Sequence, residues 1–551
     1  MKSTIFLAFP ALLAAATSLV AAEQQKPNFI LFLTDDQDLH YDSLNYLPNI
    51  QKTLLQQGTE FTRYYTTTAT CCPSRVSLWS GKFAHNHNVT DESPPHGSYT
   101  KFISQKVDDS YLPLWLQNAG YRNHYIGKFI NGVSTTLHQA PKGWDHWEPL
   151  VAPNIYLFND PIFSLNNGPL ERLTGQYQTD VISNKSIALI DQLAANSTQP
   201  FLFVISPTAP HQEVYITPNG TIFTPPVPAE RHRNLFNDVK VPRRPNFNPA
   251  VQDKVSWVQN LPLLTDQQID DLDELYRNRL RSLQATDELV ARVIDRLEAN
   301  GQLDNTYLIY TTDNGYHLGA HRLYAGKQTP YEEDINIPFI IRGPGVAKNQ
   351  QRDAVSTHTH FAATVLRLAG LPIPDDLDAA SIPVLESDYT HHDKCGPTFA
   401  DLHSPEAFDV EFWSDAFIEN STYVVPPHTN AYKSVRLHGK DYDLLYSTWC
   451  TGEHEFYDMR KDPYQLTNAF NQTSPQLLNR LDALLNVLRT CKGKTCRQPW
   501  SAIQPSADPP VRSLTDALNA TYDQFYASLP KFTFGTCLNY YLAPNEYAIL
   551  S

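Results

Sequence analysis

Short apolar runs recur along the chain, and each delivers polar groups at its end. "NFILFLT" runs into Asp35-Asp36, "FLFVISPTAP" into His211, and "TYLIYTT" into Asp313-Asn314. Runs of this length, apolar at almost every position and rich in β-branched and aromatic residues, predict strands buried on both faces, as in a parallel sheet covered by helices. Between the last two, "ELYRNRLRSLQATDELVARVIDRLEANG" sets Leu280, Leu283, Val290, Ile294 and Leu297 at helical spacing and closes on Gly301, so it predicts a packing helix without chemistry of its own. The alternation predicts an α/β sandwich around a large, mostly parallel central sheet. Ligands of such sheets bind at the carboxyl ends of the strands, so residues distant in sequence are expected to converge there.

The pattern changes along the chain. Pro225 to Pro249 reads as an irregular surface excursion. Past residue 395, Tyr-rich and Cys-containing sequence such as "SVRLHGKDYDLLYSTWCTGEHEFYDM" predicts the antiparallel strands of a smaller C-terminal domain. No internal repeat is visible. At the other end, Lys2, the apolar stretch Ile5 to Val20 and Ala21-Ala22 predict a secretory signal peptide over residues 1–22. Nothing later approaches the ~18 apolar residues of a membrane span. The expected location is therefore outside the cytosol: extracellular, wall-associated, or in a vacuolar or lysosomal lumen. Seven Asn-x-Ser/Thr sequons, at Asn88, Asn184, Asn196, Asn219, Asn420, Asn471 and Asn519, fit export and are expected glycan sites.

A chain of 551 residues exceeds one small core, and a large domain with a smaller second one is expected. Its net charge of −15 becomes −16 when residues 1–22 take Lys2 with them. That acidity argues against a nucleic-acid partner and against long polyanionic substrates. The cysteines number seven, an odd count that leaves one outside any disulfide. Cys491 and Cys496 are expected to bridge across "CKGKTC"; the partners of Cys72, Cys395, Cys450 and Cys537 stay open, with a buried free thiol one alternative for Cys72. Cys71 and Cys72 are adjacent, an arrangement that seldom satisfies disulfide geometry. They stand directly before Pro73, with Thr70 or Cys71 as cap, so a helix is expected to begin here with its anion-attracting end at the cysteine.

The run "CCPSRVSLWSGK" resembles the signature of the type I, formylglycine-dependent sulfatases, whose first cysteine is oxidised to Cα-formylglycine during secretion by a formylglycine-generating enzyme. "LFLTDDQD" is similar to that family's first metal-binding strand and "YTTDNGYHLGAH" to its second. "GYRNHYIGKFIN", "SPTAPH" and "LYAGKQTPYEEDINIPFIIRGPG" are similar to the segments supplying a lysine, a histidine and a second lysine. The similarity runs in order from about Pro27 to Pro463. It implies an alkaline-phosphatase/sulfatase-like fold, with a catalytic domain over 23–394 and a C-terminal domain over 395–551.

The resemblance also implies a set of roles. Asp35, Asp36, Asp313 and Asn314, with the converted Cys71, would hold one Ca²⁺, with Mg²⁺ as substitute, because these are hard oxygen ligands. Formylglycine at 71 would supply the nucleophile; Arg75 would hold it, Lys128 and Lys327 would clamp sulfate, and His211 would protonate the leaving oxygen. One departure stands out. Lys128 is followed by Phe129-Ile130-Asn131, where many members have Trp-His, and the base for sulfate elimination stays open among Asn131, His85 and His87. The Lys-x-x-Asn form, "CCPSR" and "AHNHNV" are similar to secreted fungal-type arylsulfatases and N-acetylglucosamine-6-sulfatases. The expected activity is hydrolysis of small aryl sulfate monoesters. Alternatives are a 6-sulfated amino sugar as substrate, a phosphatase or phosphonate hydrolase with His317 and His321 in a zinc site, and a non-catalytic anion-binding glycoprotein.

Overall fold

The run Asn28–Thr34 is buried along its whole length because helices cover its sheet on both faces. The architecture comes from a computed structural model that describes residues 25–195, 199–218, 220–390, 398–416, 418–419 and 425–549. Eight strands form the central sheet: β1 (Asn28–Thr34), β2 (Thr59–Phe61), β3 (Arg122–Gly127), β4 (His146–Pro149), β5 (Phe201–Ser206), β6 (Thr306–Thr312), β7 (Phe339–Arg342) and β8 (Gln350–Arg352). Their spatial order is β8-β2-β7-β6-β1-β5-β3-β4. The run β6-β1-β5-β3-β4 is parallel throughout, while β7 lies antiparallel to β6 and β2. The expected mostly parallel sheet is present.

Alternation along β1 assigns its side chains to two cores. Phe29, Leu31 and Leu33 pack with Leu202, Val204 and Ile309 under helix α1 (Cys71–Ser80), through Val76 and Trp79. Ile30 and Phe32 pack with Phe203 and Ile205 on the other face. There they meet Ile182 and Ile190 of α2 (Gln178–Ala194), and Leu283, Val290, Ile294 and Leu297 of α3 (Asp266–Ala299). Helix α4 (His358–Leu368) completes the first face with Phe361 and Val365.

Helix α3 is longer than its apolar spacing indicates, beginning at Asp266 rather than at Glu274. Thr265 supplies the start: its hydroxyl accepts from the Gln268 N–H while Gln268 Oε1 accepts from the Thr265 N–H at 3.0 Å, a reciprocal capping box. It ends at Ala299, and Gly301 at φ +67° turns the chain away.

The second expected sheet is also present. Strands β9 (Ala407–Phe412), β10 (Tyr432–His438), β11 (Asp443–Trp449) and β12 (His454–Asp458) are antiparallel neighbours in chain order. Helix α5 (Pro475–Leu488) covers them with Leu481, Leu484, Leu485 and Leu488. Leu272, Leu275, Tyr276 and Leu280 of α3 belong to this same core, so the two sheets share a continuous apolar interior.

Residues 225–249 carry one short turn of helix, Glu230–His232, and are tied to α3: Arg243 Nη2 and the Val241 N–H both bond to Asp273, at 2.8 and 2.9 Å. Cys491–Cys496 forms the expected local disulfide, Cys450 pairs with Cys537, and Cys71 and Cys72 are buried free thiols. Cys395 lies outside the described residues, as do Asn196, Asn219, Asn420 and the 1–22 segment. Of the other sequons, Asn184, Asn471 and Asn519 are exposed and Asn88 is half-buried. Among the described residues no helix is long and apolar enough to cross a membrane.

Candidate active site

Four adjacent parallel strands deliver the candidate residues to one edge. Asp35 and Asp36 follow β1, Asp313 and Asn314 follow β6, Lys128 follows β3, and His211 lies five residues beyond Ser206 at the end of β5. Helix α1 points its N-terminus at this edge, starting at Cys71 with Thr70 extended before it. The Thr70 side chain does not cap the helix. Instead Glu92 Oε1 accepts from the Cys71 N–H at 3.3 Å and from Thr70 Oγ1 at 2.6 Å. The other end closes on Gly81 at φ +68°, whose N–H returns to the Ser77 carbonyl.

Position 71 holds the encoded thiol, so its sulfur marks where the converted side chain would place its reactive oxygen. Cys71 Sγ lies 2.8 Å from Lys327 Nζ, 3.5 Å from Asp35 Oδ1 and 3.9 Å from Asp36 Oδ1. Lys128 Nζ donates to Asp35 Oδ2 at 2.6 Å and Lys327 Nζ to Asp36 Oδ1 at 2.6 Å. His211 Nε2 stands 3.5 Å from Asp36 Oδ2, while Nδ1 bonds to the Gln212 carbonyl at 2.6 Å, which fixes the ring. All these groups are buried.

The Ser-Arg of the motif ties the helix to the sheet. Ser74 Oγ donates to the Asp313 carbonyl and also meets Thr66 Oγ1 and His358 Nδ1, each at 2.9 Å. Arg75 Nε donates to Asp313 Oδ2 at 2.7 Å, and Nη1 donates to the Lys128 carbonyl at 2.7 Å and to Ser206 Oγ at 3.0 Å. Its guanidinium is wholly buried and joins the ends of β3, β5 and β6.

Electrostatics follow from burying so many charges together. Burial drives the Cys71 thiol well above its ordinary value despite Lys128 and Lys327 beside it, so the unconverted thiol stays protonated. Burial also acts to raise Asp313, but Arg75, Lys128 and Lys327 outweigh it and hold the carboxyl well below the usual range. For Lys128, burial opposes the charge and Asp35 restores it, leaving the ammonium firmly protonated.

Lys128, Lys327 and Arg75 each pair with one of the three buried carboxylates, yet two oxygens of the cluster stay unpartnered. Asp36 Oδ2 and Asn314 Oδ1 are buried there and receive no hydrogen bond, while the Asn314 amide donates to Asp36 Oδ1 at 2.7 Å. Orphaned hard oxygens beside the carboxylates of Asp35 and Asp313 fit an oxygen-ligated divalent ion.

Other expected residues are placed differently. His85 bonds to Glu411 at 2.8 Å through Nδ1 and to the Cys491 carbonyl at 3.1 Å through Nε2. His87 uses Nε2 on Ser77 Oγ at 3.0 Å, and Nδ1 accepts from the Val89 N–H. Both ring nitrogens of each are thus engaged by groups other than position 71. Asn131 donates to Tyr156 Oη at 3.1 Å and so borders the site through that ring. Among the described residues, two clusters of His, Cys and acids are compact enough to share an ion: Asp35, Asp36, Cys71 and His211, and His85, Asp409 and Glu411. His317 and His321 belong to neither: His317 Nδ1 bonds to Asp334 at 2.9 Å, and its Nε2 and both His321 nitrogens are buried without a hydrogen bond.

Three contributors escape a reading of the sequence. Tyr156 stacks on His211 at 4.3 Å between ring centroids and lies 4.8 Å under Lys128 Nζ. Arg279, from a helix expected only to pack, donates to the Asp36 and Pro210 carbonyls. Glu92 caps α1 from a loop. No local pattern marks any of them.

Residues 27–371 match the Sulfatase family, and residues 319–490 match the family described as N-sulphoglucosamine sulphohydrolase, C-terminal. An Arylsulfatase of Volvox carteri is 40% identical, covering 97% of this chain and 85% of its own. The N-acetylglucosamine-6-sulfatase of Homo sapiens is 30% identical, covering 87% of each chain. A solved structure of a protein in complex with its substrate D-glucosamine-2-N,6-O-disulfate matches with a TM-score of 0.67 at 25% identity, covering 84% of this chain and 97% of that one. The chain belongs to the sulfatase family. It is an enzyme, a hydrolase of sulfate esters.

Proposed function

We propose that the protein is an exported arylsulfatase that cleaves small aryl sulfate monoesters to a phenol and sulfate. The observation that carries this reading is position 71 itself: a buried side chain at a helix N-terminus, 2.8 Å from Lys327 Nζ and 3.5 Å from Asp35 Oδ1. Two groups beyond the encoded chain complete it: formylglycine made from Cys71, which supplies the nucleophile, and one Ca²⁺, with Mg²⁺ as substitute, which supplies charge neutralisation. Asp35, Asp36, Asp313 and Asn314 would hold the ion.

The chain's own residues account for the rest. Lys128 and Lys327 bind sulfate oxygens and offset the charge that grows on them. His211, with Nδ1 held by the Gln212 carbonyl, presents Nε2 to the leaving oxygen and gives it a proton. Arg75 fixes the relative positions of Asp313 and Lys128. Aryl leaving groups need less help from His211 than alkyl ones, and the net charge of −15 disfavours a long sulfated chain.

Protein made with a formylglycine-generating enzyme should carry the aldehyde or its hydrate in the 71 peptide and hydrolyse 4-nitrophenyl sulfate. Cys71→Ala should abolish turnover. Full activity with an unmodified thiol would overturn the proposal. A second reading, action on a 6-sulfated amino sugar, is favoured by the similarity to the human enzyme and to the disulfate-bound structure. Efficient desulfation of N-acetylglucosamine-6-sulfate with negligible aryl sulfate turnover would select it.

A further inference from the structure

Glu92 is the partly exposed member of the charged group around position 71. Its side chain is 24% exposed, against 4% for Lys327 and 0% for Lys128 and Arg75. Oε1 makes its three contacts: the Cys71 N–H at 3.3 Å, Thr70 Oγ1 at 2.6 Å, and Lys327 Nζ at 3.9 Å. Oε2 takes part in none of these.

The loop that carries Glu92 is fixed from both sides. Asp91 Oδ1 accepts from the Glu92 N–H at 2.5 Å, and Asp91 Oδ2 accepts from Ser414 Oγ of the C-terminal domain at 3.0 Å. The chain returns so closely that a Cβ at Gly97 would stand 1.6 Å from the Asp91 carbonyl oxygen. The carboxylate is thus held beside the sulfate-clamping amine by the fold.

A sulfate ester that places its sulfate between Lys128 and Lys327 must run its alcohol part outward to solvent. The Glu92 carboxylate is 3.9 Å from Lys327 Nζ and more exposed than it, so it is the charge of this group nearest to solvent. We infer that Glu92 selects substrates by charge: it admits leaving groups that are neutral or carry a hydroxyl or ammonium donor, and disfavours esters with a second anionic group close to the scissile bond. This rests on the sulfatase reading of position 71 and adds a substrate class to it.

The test compares kcat/KM for 4-nitrophenyl sulfate and 3-carboxyphenyl sulfate in formylglycine-bearing wild type, Glu92→Gln and Glu92→Asp. Two charges a few ångströms apart at a partly exposed site interact enough to change the anionic-to-neutral ratio about tenfold, so Glu92→Gln should raise that ratio by about this factor. Glu92→Asp should stay near wild type. Added salt should narrow the discrimination in wild type and leave Glu92→Gln unmoved. If Glu92 only caps the helix, both esters fall together in Glu92→Gln and the ratio stays constant, which overturns the inference. Wild type that turns over neither ester overturns the underlying arylsulfatase reading.

Discussion

Asp36 holds a left-handed backbone at φ +63°, a conformation that costs a non-glycine residue about 1 kcal/mol and persists only where neighbours enforce it. Two neighbours do so here: Asp313 Oδ1 accepts from the Asp36 N–H at 3.0 Å, and Arg279 Nη2 donates to the Asp36 carbonyl. Arg279 also bonds the Pro210 carbonyl, next to His211, so one guanidinium holds both the Asp36 turn, proposed to ligate the ion, and the turn of the proposed proton donor. Arg279→Lys keeps the charge but loses the fork that reaches both carbonyls. The expected outcome is a drop in bound divalent metal by metal analysis together with at least about a tenfold lower kcat, since misplaced catalytic groups are costly even at small displacements. Unchanged metal content and kcat would remove Arg279 from this role. Asp35-Asp36 and Asp313-Asn314 were legible in the sequence because each pair closes an apolar run, and a parallel sheet gathers such ends at one edge, whereas Lys128 and Lys327 were legible only through the resemblance, since alone each reads as a surface lysine. Arg279, Tyr156 and Glu92 were not, because nothing local separates a surface arginine, tyrosine or glutamate from one that tertiary contacts bring to the site.

At the scale of elements, α1 and α3 carry different burdens. Helix α3 was readable because Leu283, Val290, Ile294 and Leu297 form one buried stripe, and those residues do face the sheet. Its first turns were not, because Asp266 to Asp273 is mostly polar and its start depends on the Thr265 and Gln268 capping box rather than on an apolar period. Leu297 is fully buried and far from the chemistry in the contacts it makes. Leu297→Ala should lower the unfolding free energy by about 2–5 kcal/mol in denaturant titrations while leaving kcat unchanged. Ser74→Ala on α1 should behave otherwise. Its hydroxyl joins the Asp313 carbonyl to Thr66 and His358, so its loss leaves buried polar groups unpaired and loosens α1 against the Asp313 turn, proposed to ligate the ion. Both stability and kcat are expected to fall, and a stable variant of full activity would show that Arg75 alone fixes the helix.

Across the whole molecule, the segments around the C-terminal sheet reach the site edge of the central one. The Glu411 N–H bonds the Thr67 carbonyl at 2.9 Å, and the Glu419 N–H bonds the Ala325 carbonyl at 2.9 Å, two residues before Lys327. The alternation after residue 395 predicted a second sheet but gave no sign of this interlock, since isolated backbone pairing between distant segments leaves no trace in side-chain pattern. Burial across the domain also sets how stability responds to pH. Glu406 sits just before β9, where its carboxylate accepts from the Leu514 N–H at 3.0 and 3.1 Å and from Trp500 Nε1. Burial outweighs these bonds and lifts its pKa from 4.5 to about 7. Asp482, buried on α5, is lifted by the same cause to about 6. A carboxyl raised on folding binds its proton more tightly in the native chain than in the unfolded one. Its stabilising contribution is therefore complete below the unfolded value and is lost as pH climbs through the folded one. For Glu406 the shift corresponds to about 3 kcal/mol between pH 4.5 and 7, enough to register in the melting temperature of the whole chain. Wild-type Tm should fall from pH 5 to pH 8, and Glu406→Gln, which keeps an acceptor but cannot ionise, should fall less. Parallel Tm profiles for the two proteins would mean that the Glu406 carboxyl titrates near its ordinary value and that the pocket around it is wetter than its packing against Trp500 indicates.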